Sequence, residues 1–271
     1  MTFTQKLREI QFKQNSLLCI GLDVDLEKIP EHLKLLANPV SEFNRQIIEA
    51  TSDLVCAYKP NLAFYEAMGE RGLITLRETL KLIPNSVLTI GDGKRGDIGN
   101  TAERYAKSFF DDFGFDSITV NPYMGFDSVE PFLKNPEKGV FLLSLTSNPG
   151  SKDFQRLKIN GKPLYEKVVQ KAKKWNTNQN IGLIIGATHP HELKSIRKIV
   201  PEMPLLIPGI GKQGGDLKSA VHNGCDKNGQ LAIINASRSI IYASSGKDFA
   251  EAARVEAKRM VEEMRIYRYN I

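Results

Sequence analysis

Val87-Leu88-Thr89-Ile90-Gly91-Asp92 is an apolar stretch of strand length that ends on a carboxylate. Seven further stretches have the same form: residues 17–23, 55–60, 117–122, 140–146, 181–188, 204–209 and 231–236. Most are rich in Val, Ile and Leu with little polar alternation, the pattern of strands covered on both faces and hence parallel. Most of the intervening stretches carry helical apolar faces. Ala102, Tyr105, Ala106, Phe109 and Phe110 share one face of residues 101–113, and Leu164, Val168, Val169, Ala172 and Trp175 share one of residues 163–176. Ala253, Ala257, Met260, Val261, Met264 and Tyr267 form a third. Strand–helix alternation eight times over about 250 residues predicts an α/β fold, a (β/α)8 TIM barrel, over its rival, a doubly wound open sheet. No composition break, Gly/Ser linker or low-complexity tract divides residues 1–271, so one domain is expected. The longest irregular stretch, residues 147–162, is polar and is expected to be a loop over the C-terminal face of the barrel.

Composition narrows the function classes. The chain has 271 residues, 41% hydrophobic and 25% charged, with a mean hydropathy of −0.27, which excludes a disordered or fibrous chain. No apolar run approaches the roughly 20 residues that cross a bilayer, and residues 1–13 hold no signal-peptide core, so a cytoplasmic protein without a membrane partner is expected. Cys19, Cys56 and Cys225 are odd in number and widely spaced, which reads as small buried hydrophobes in a reducing compartment. The net charge of +6 and pI near 9.1 raise the question of a nucleic-acid partner. The lysines are spread along the chain, and the densest cluster, Lys171, Lys173 and Lys174, has no interleaved aromatics, so no such partner is expected.

Barrel chemistry sits at the C-terminal ends of the strands. Those ends carry Asp23, Lys59, Asp92 with Lys94, Asn121, Thr146, His189, and Ser237 with Arg238. Asp92 and Lys94 are two apart on an extended chain and point to one side. A surface salt bridge is the plainer reading, but Asp-x-Lys at the end of a buried strand argues against a solvated pair. Lys59 ends the neighbouring strand, so two lysines and two aspartates, Asp97 among them, can alternate in one network that keeps each charge ionised. Gly209-x-Gly211-x-x-Gly214 matches a dinucleotide fingerprint formally, yet it follows the seventh strand and the next strand ends without an acid. A Gly-rich loop whose amides and Gln213 grip a phosphate fits better, with Ser237 and Arg238 after strand eight completing the grip. His189 and His191 flank Pro190 without companion ligands and read as loop histidines.

Asp92-x-Lys94-x-x-Asp97-Ile98-x-x-Thr101 resembles the signature of the orotidine 5′-phosphate decarboxylases. Gly21-Leu22-Asp23, Tyr58-Lys59-Pro60, Asn121-Pro122-Tyr123, Thr146-Ser147-Asn148-Pro149-Gly150, Gly186-Ala187-Thr188, Pro208-Gly209-Ile210-Gly211 and Asn235-Ala236-Ser237-Arg238 extend the resemblance over the whole chain. The longer bacterial branch is the nearer one. Two positions depart: Gly93 stands where alanine is expected, and Leu145 where a basic residue often precedes Thr146. The resemblance implies a barrel of the ribulose-phosphate-binding type and decarboxylation of orotidine 5′-monophosphate to UMP. It also implies no metal, no organic cofactor, and a homodimer with shared active sites. Carried over by residue, Lys94 is the acid that protonates C6, Asp92 lies against the substrate carboxylate, and Lys59 holds Asp92 and contacts the ribose. Asp23 binds a ribose hydroxyl, and Asp97 and Thr101 reach in from the neighbouring subunit. Ser147 reads the pyrimidine edge, Asn121 and Thr146 are further substrate-binding positions, and Gln213, Ser237 and Arg238 take the phosphate. The rivals are Mg²⁺-dependent sister enzymes of the same barrel superfamily, expected to carry a carboxylate in place of Lys59, and a catalytically silent nucleotide-binding protein.

Overall fold

The computed structural model describes residues 1–210 and 215–268. Eight parallel strands close a barrel in chain order: β1 (Leu18–Gly21), β2 (Ala57–Lys59), β3 (Leu88–Arg95), β4 (Ser117–Val120), β5 (Gly139–Leu145), β6 (Ile181–Ile185), β7 (Leu205–Pro208) and β8 (Ala232–Ala236). Leu18 pairs with Ile234 and Cys19 with Asn235, so β1 closes on β8 and the open-sheet alternative is excluded.

Strand parity divides the core in two. Leu18, Ile20, Ile118, Val120, Val140, Leu142, Leu205, Ile207 and Ile234 face the helices. Cys19, Ala57, Leu88, Ile90, Phe141, Ile184, Leu206 and Ile233 face the barrel axis and form a separate cluster with Phe3, Leu7 and Ile10. Those last three lie on the helix Phe3–Gln14, which Thr2 and Gln5 start with a reciprocal capping box. This helix stoppers the N-terminal mouth. The Phe3 ring meets Phe141 edge-on at 5.8 Å between centroids. A Cβ on Gly139 would come within 2.6 Å of the Phe3 ring, so only glycine admits the stopper. Gln11 fixes it to β8, donating from Nε2 to the Ala232 carbonyl at 2.7 Å and accepting from the Leu231 amide at 2.9 Å.

The same parity carries the polar residues to the other mouth. On β3 the axial positions read Leu88, Ile90, Asp92, Lys94, two apolar and then two charged. The outward positions Gly91 and Gly93 lie under Phe109, whose ring a Cβ would meet at 2.7 and 2.8 Å. Phe109 reaches there because the helix Gly99–Lys107 continues into one π-helical turn, Ser108–Asp112. The ring therefore fills the space an alanine methyl at position 93 would need, which accounts for glycine there.

Residues 147–162 differ from the expected irregular loop. They hold a helical turn, Ser151–Phe154, and the start of a small antiparallel hairpin that pairs Lys158–Ile159 with Lys162–Pro163. Asn160 and Gly161 make its turn with φ of 53° and 77°, the positive pair that two-residue hairpins demand and that Asn-Gly supplies. Among the described residues no helix is long and apolar enough to cross a membrane.

Phe3 is fully buried at the mouth opposite the polar one. Phe3→Ala should lower unfolding stability by about 3–5 kcal/mol, read as a shift in the urea midpoint at unchanged slope. A loss under about 1 kcal/mol would mean that the stopper contributes little.

Candidate active site

Asp92 is the centre of the polar mouth and only 8% exposed. Its Oδ2 accepts from Lys59 Nζ at 2.8 Å and its Oδ1 from Lys94 Nζ at 2.7 Å. Thr119 Oγ1 donates to the same Oδ1 at 3.0 Å. Lys59 Nζ also lies 3.9 Å from Asp23 Oδ1, and Asp23 Oδ2 accepts from Ser237 Oγ at 2.9 Å. The result is a chain of alternating charge, Asp23–Lys59–Asp92–Lys94, contributed by the C-terminal ends of β1, β2 and β3 and anchored to the end of β8. Ser237 comes this close because position 21 is glycine: a Cβ there would stand 2.8 Å from the Ser237 Cβ.

Burial and charge oppose each other along this chain, and charge wins. Burial pushes the Asp92 carboxyl up, but the Lys59 and Lys94 ammonium groups together hold it well below the usual carboxylate range. Burial likewise pushes Lys59 down, and the Asp92 and Asp23 carboxylates more than reverse it, so its ammonium is held above the ordinary lysine range. Both groups are charged at neutral pH. Cys19, just beneath, is not a nucleophile: burial raises its thiol, which contacts Asn235 Oδ1 at 3.4 Å.

Lys94 is the open end of the chain. Its side chain is 48% exposed, and an ammonium has three donors, of which Asp92 takes one. Its backbone stands at φ 46°, in the left-handed region that a non-glycine residue seldom adopts, with its N–H donating to Thr119 Oγ1 at 2.9 Å. Against Asp23, Lys59 and Asp92 a cavity of about 190 Å³ is lined further by Asn61, Pro208, Ile210, Asn235, Ser237 and Arg238; its lining does not include Lys94. Arg238 stands exposed at its rim, with no carboxylate partner among the described residues.

Of the residues expected at the site, Asp23, Lys59, Asp92, Lys94, Ser237 and Arg238 are brought together. Gln213 lies outside the described residues. Thr146 sits at the end of β5, held on three sides. Its amide donates to Gln155 Oε1 at 2.8 Å, its hydroxyl lies 2.6 Å from Asn148 Oδ1, and its carbonyl faces His189 Nε2 at 2.9 Å. Ser147 packs on Gly186, where a Cβ would come within 2.8 Å of the Ser147 nitrogen. Asn121 Oδ1 accepts from the Tyr123 amide at 3.0 Å. Asp97 accepts from the Ile98 amide at 2.8 Å, and Asp97 and Thr101 do not line this chain's own cavity. His189 precedes the helix Pro190–Ile199 and meets Arg156 at 3.1 Å through Nδ1, a structural contact. Among the described residues no group of three His, Cys, Asp or Glu side chains is placed to hold a metal ion.

Sequence reasoning missed Thr119 and Asn235. Both lie on axial positions two residues before expected site residues, Asn121 and Ser237, so strand parity carries the signal for them.

The chain matches the family model described as the orotidine 5′-phosphate decarboxylase / HUMPS family over residues 16–254. It is 52% identical over 272 residues to an orotidine 5′-phosphate decarboxylase of Dehalococcoides mccartyi, covering 99% of each chain. It is 52% identical over 258 residues to that of Herpetosiphon aurantiacus, covering 94% of this chain and 95% of the relative. The solved OMP decarboxylase of Leishmania donovani superposes with a TM-score of 0.86 at 38% identity over 99% of both chains. The match thus runs from the residue pair before β1 into the last helix, and it includes every strand end that carries the charged chain. The protein belongs to the orotidine 5′-phosphate decarboxylase / HUMPS family.

Proposed function

We propose that this chain, as one catalytic unit over residues 1–271, decarboxylates orotidine 5′-monophosphate to UMP in pyrimidine synthesis, with Lys94 as the acid. The observation that carries the reading is the buried Lys59 ammonium, 2.8 Å from Asp92 and 3.9 Å from Asp23. A Mg²⁺-dependent sister enzyme is expected to carry a carboxylate in place of Lys59, because a divalent ion takes oxygen ligands. Here a fixed positive charge already stands between the two carboxylates and repels such an ion.

Asp92, pinned by three donors, lies against the substrate carboxylate. The bond from C6 to that carboxylate breaks, the electron pair stays on C6, and CO2 departs from beside Asp92. Lys94 faces the growing carbanion, stabilises it, and transfers an ammonium proton to C6; solvent then reprotonates the amine. Because the charges are in place before the substrate arrives, no reorganisation is needed as the carbanion forms. Asp23 lines the cavity, and its Oδ1 has no hydrogen-bond partner among the described residues, which suits this carboxylate to accept from a ribose hydroxyl. The guanidinium of Arg238, next to Ser237 in the chain, suits a phosphate dianion, Gln213 is assigned to the same group, and binding there supports chemistry at the distant C6. Ser147 is assigned to the pyrimidine edge, and Asn121 and Thr146 remain further substrate-binding positions.

Asp97 and Thr101 complete a neighbouring subunit's site in a homodimer. The turn that carries Asp97 lies against Asn121, since a Cβ on Gly96 would meet the Asn121 carbonyl at 3.1 Å, and Ile98, Tyr123 and Met124 are all exposed. Three buried free thiols suit a reducing cytoplasm.

Wild-type protein in EDTA should convert orotidine 5′-monophosphate to UMP, followed by loss of the substrate's ultraviolet band. Lys94→Ala should lower kcat by about 10²–10⁴-fold while still binding UMP. Absent or EDTA-sensitive wild-type turnover would favour the sister enzymes, and near-normal turnover by Lys94→Ala would remove its assigned role. Mixed dimers of Asp97→Ala and Lys94→Ala should regain part of the activity that each lacks, because one of the two sites in a hybrid is then intact. Failure to regain it, with subunit exchange demonstrated, would contradict a shared site.

A further inference from the structure

We infer that Thr119 is a positioning residue for this reaction, a single buried hydroxyl that locks the carboxylate of Asp92 to the backbone of Lys94. The inference rests on the decarboxylase reading above. Thr119 is fully buried in the middle of β4 and faces the barrel axis. Its Oγ1 donates to Asp92 Oδ1 at 3.0 Å and accepts from the Lys94 amide at 2.9 Å. A hydroxyl has one donor and two acceptor sites, so it makes both bonds at once.

The β3–β4 ladder explains why this hydroxyl is needed. Gly91 pairs with Ile118, but the next pairing is Arg95 with Val120, so three residues of β3 pass opposite one residue of β4. The extra length bulges Asp92-Gly93-Lys94 out of the ladder and carries Lys94 into the left-handed region at φ 46°. A non-glycine residue stays there only where its surroundings hold it. The one β4 residue opposite the bulge is Thr119, and its side chain takes the Lys94 N–H that the interrupted ladder leaves without a backbone partner. The same oxygen fixes the rotation of the Asp92 carboxylate, whose other oxygen Lys59 holds. Thr119 thereby sets the distance between the group beside the substrate carboxylate and the group that delivers the proton, while its own side chain, fully buried, offers no surface to a substrate.

Thr119→Val keeps the shape and removes both bonds; Thr119→Ser keeps both. Against wild type in the same assay, Thr119→Val should lower kcat by about 10- to 100-fold, with KM and the Kd for UMP within about threefold, and Thr119→Ser should restore kcat to within about threefold of wild type. A crystal structure of Thr119→Val should show Lys94 out of the left-handed region or its Nζ moved from Asp92. Thr119→Ala carries the same expectations if valine prevents folding. A kcat within threefold of wild type, a loss shared equally by UMP binding, no recovery with serine, or an unmoved Lys94 would each overturn the inference. Inactive wild type would instead defeat the decarboxylase reading, and the Lys94 geometry in the variant structure would still decide the role of Thr119.

Discussion

A carboxylate buried between two ammonium groups governs the rest of this molecule. Asp92 keeps its charge at 8% exposure because Lys59 and Lys94 bind one oxygen each. Removing such charges from water costs several kcal/mol per ion, recovered only where the partners are fixed in near-ideal geometry. That requirement reaches far along the chain. Lys59 comes from β2, Asp92 and Lys94 from β3, Thr119 from β4, and Asp23 with Ser237 from the β1–β8 seam, so the arrangement exists only once the barrel has closed. Gly21, Gly91 and Gly93 serve the same end, admitting Ser237 and Phe109 so closely that no side chain fits.

The barrel divides its labour between its two mouths. At the N-terminal mouth Phe3, Leu7 and Ile10 join the axial Leu88, Phe141, Leu206 and Ile233 in a dry cluster. Two residues further along several of the strands the same axial positions become charged or polar. The apolar layer beneath supplies low-dielectric surroundings that strengthen every contact among the charges above it. It also leaves their pairing obligatory, since removing one partner strands a buried charge.

Much of this was legible in the sequence because it is local. Apolar runs gave the strands, and Asp92-x-Lys94 at the end of one of them placed both side chains on the axis by the two-residue period alone. What escaped depends on pairing across strands. The slip between Gly91 and Arg95 that sets Thr119 opposite Lys94 leaves no mark on either strand by itself. The ring of Phe109 beneath Gly93 requires a π-helical turn that no local pattern announced. Gln155, from the segment expected to be irregular, holds Thr146 through its amide and hydroxyl. The hairpin in that segment was readable in Asn160-Gly161, but its polar flanks hid it, since both short strands are largely exposed.

The site is built on Asp92 as a fixed carboxylate that Lys59 and Lys94 hold ionised. Its folded pKa lies below the unfolded value, so it stabilises the fold above the unfolded pKa, and that contribution is lost as pH falls through the folded one. Carbon-13 NMR of labelled aspartate carboxyls, with Asp92→Asn to assign the resonance, measures this directly. The expected result is a carboxylate that stays ionised well below pH ~3.9, the ordinary aspartate value, while the protein remains folded. Titration at or above that value would contradict the account, because the two lysines would then not be holding the charge on which the site is built.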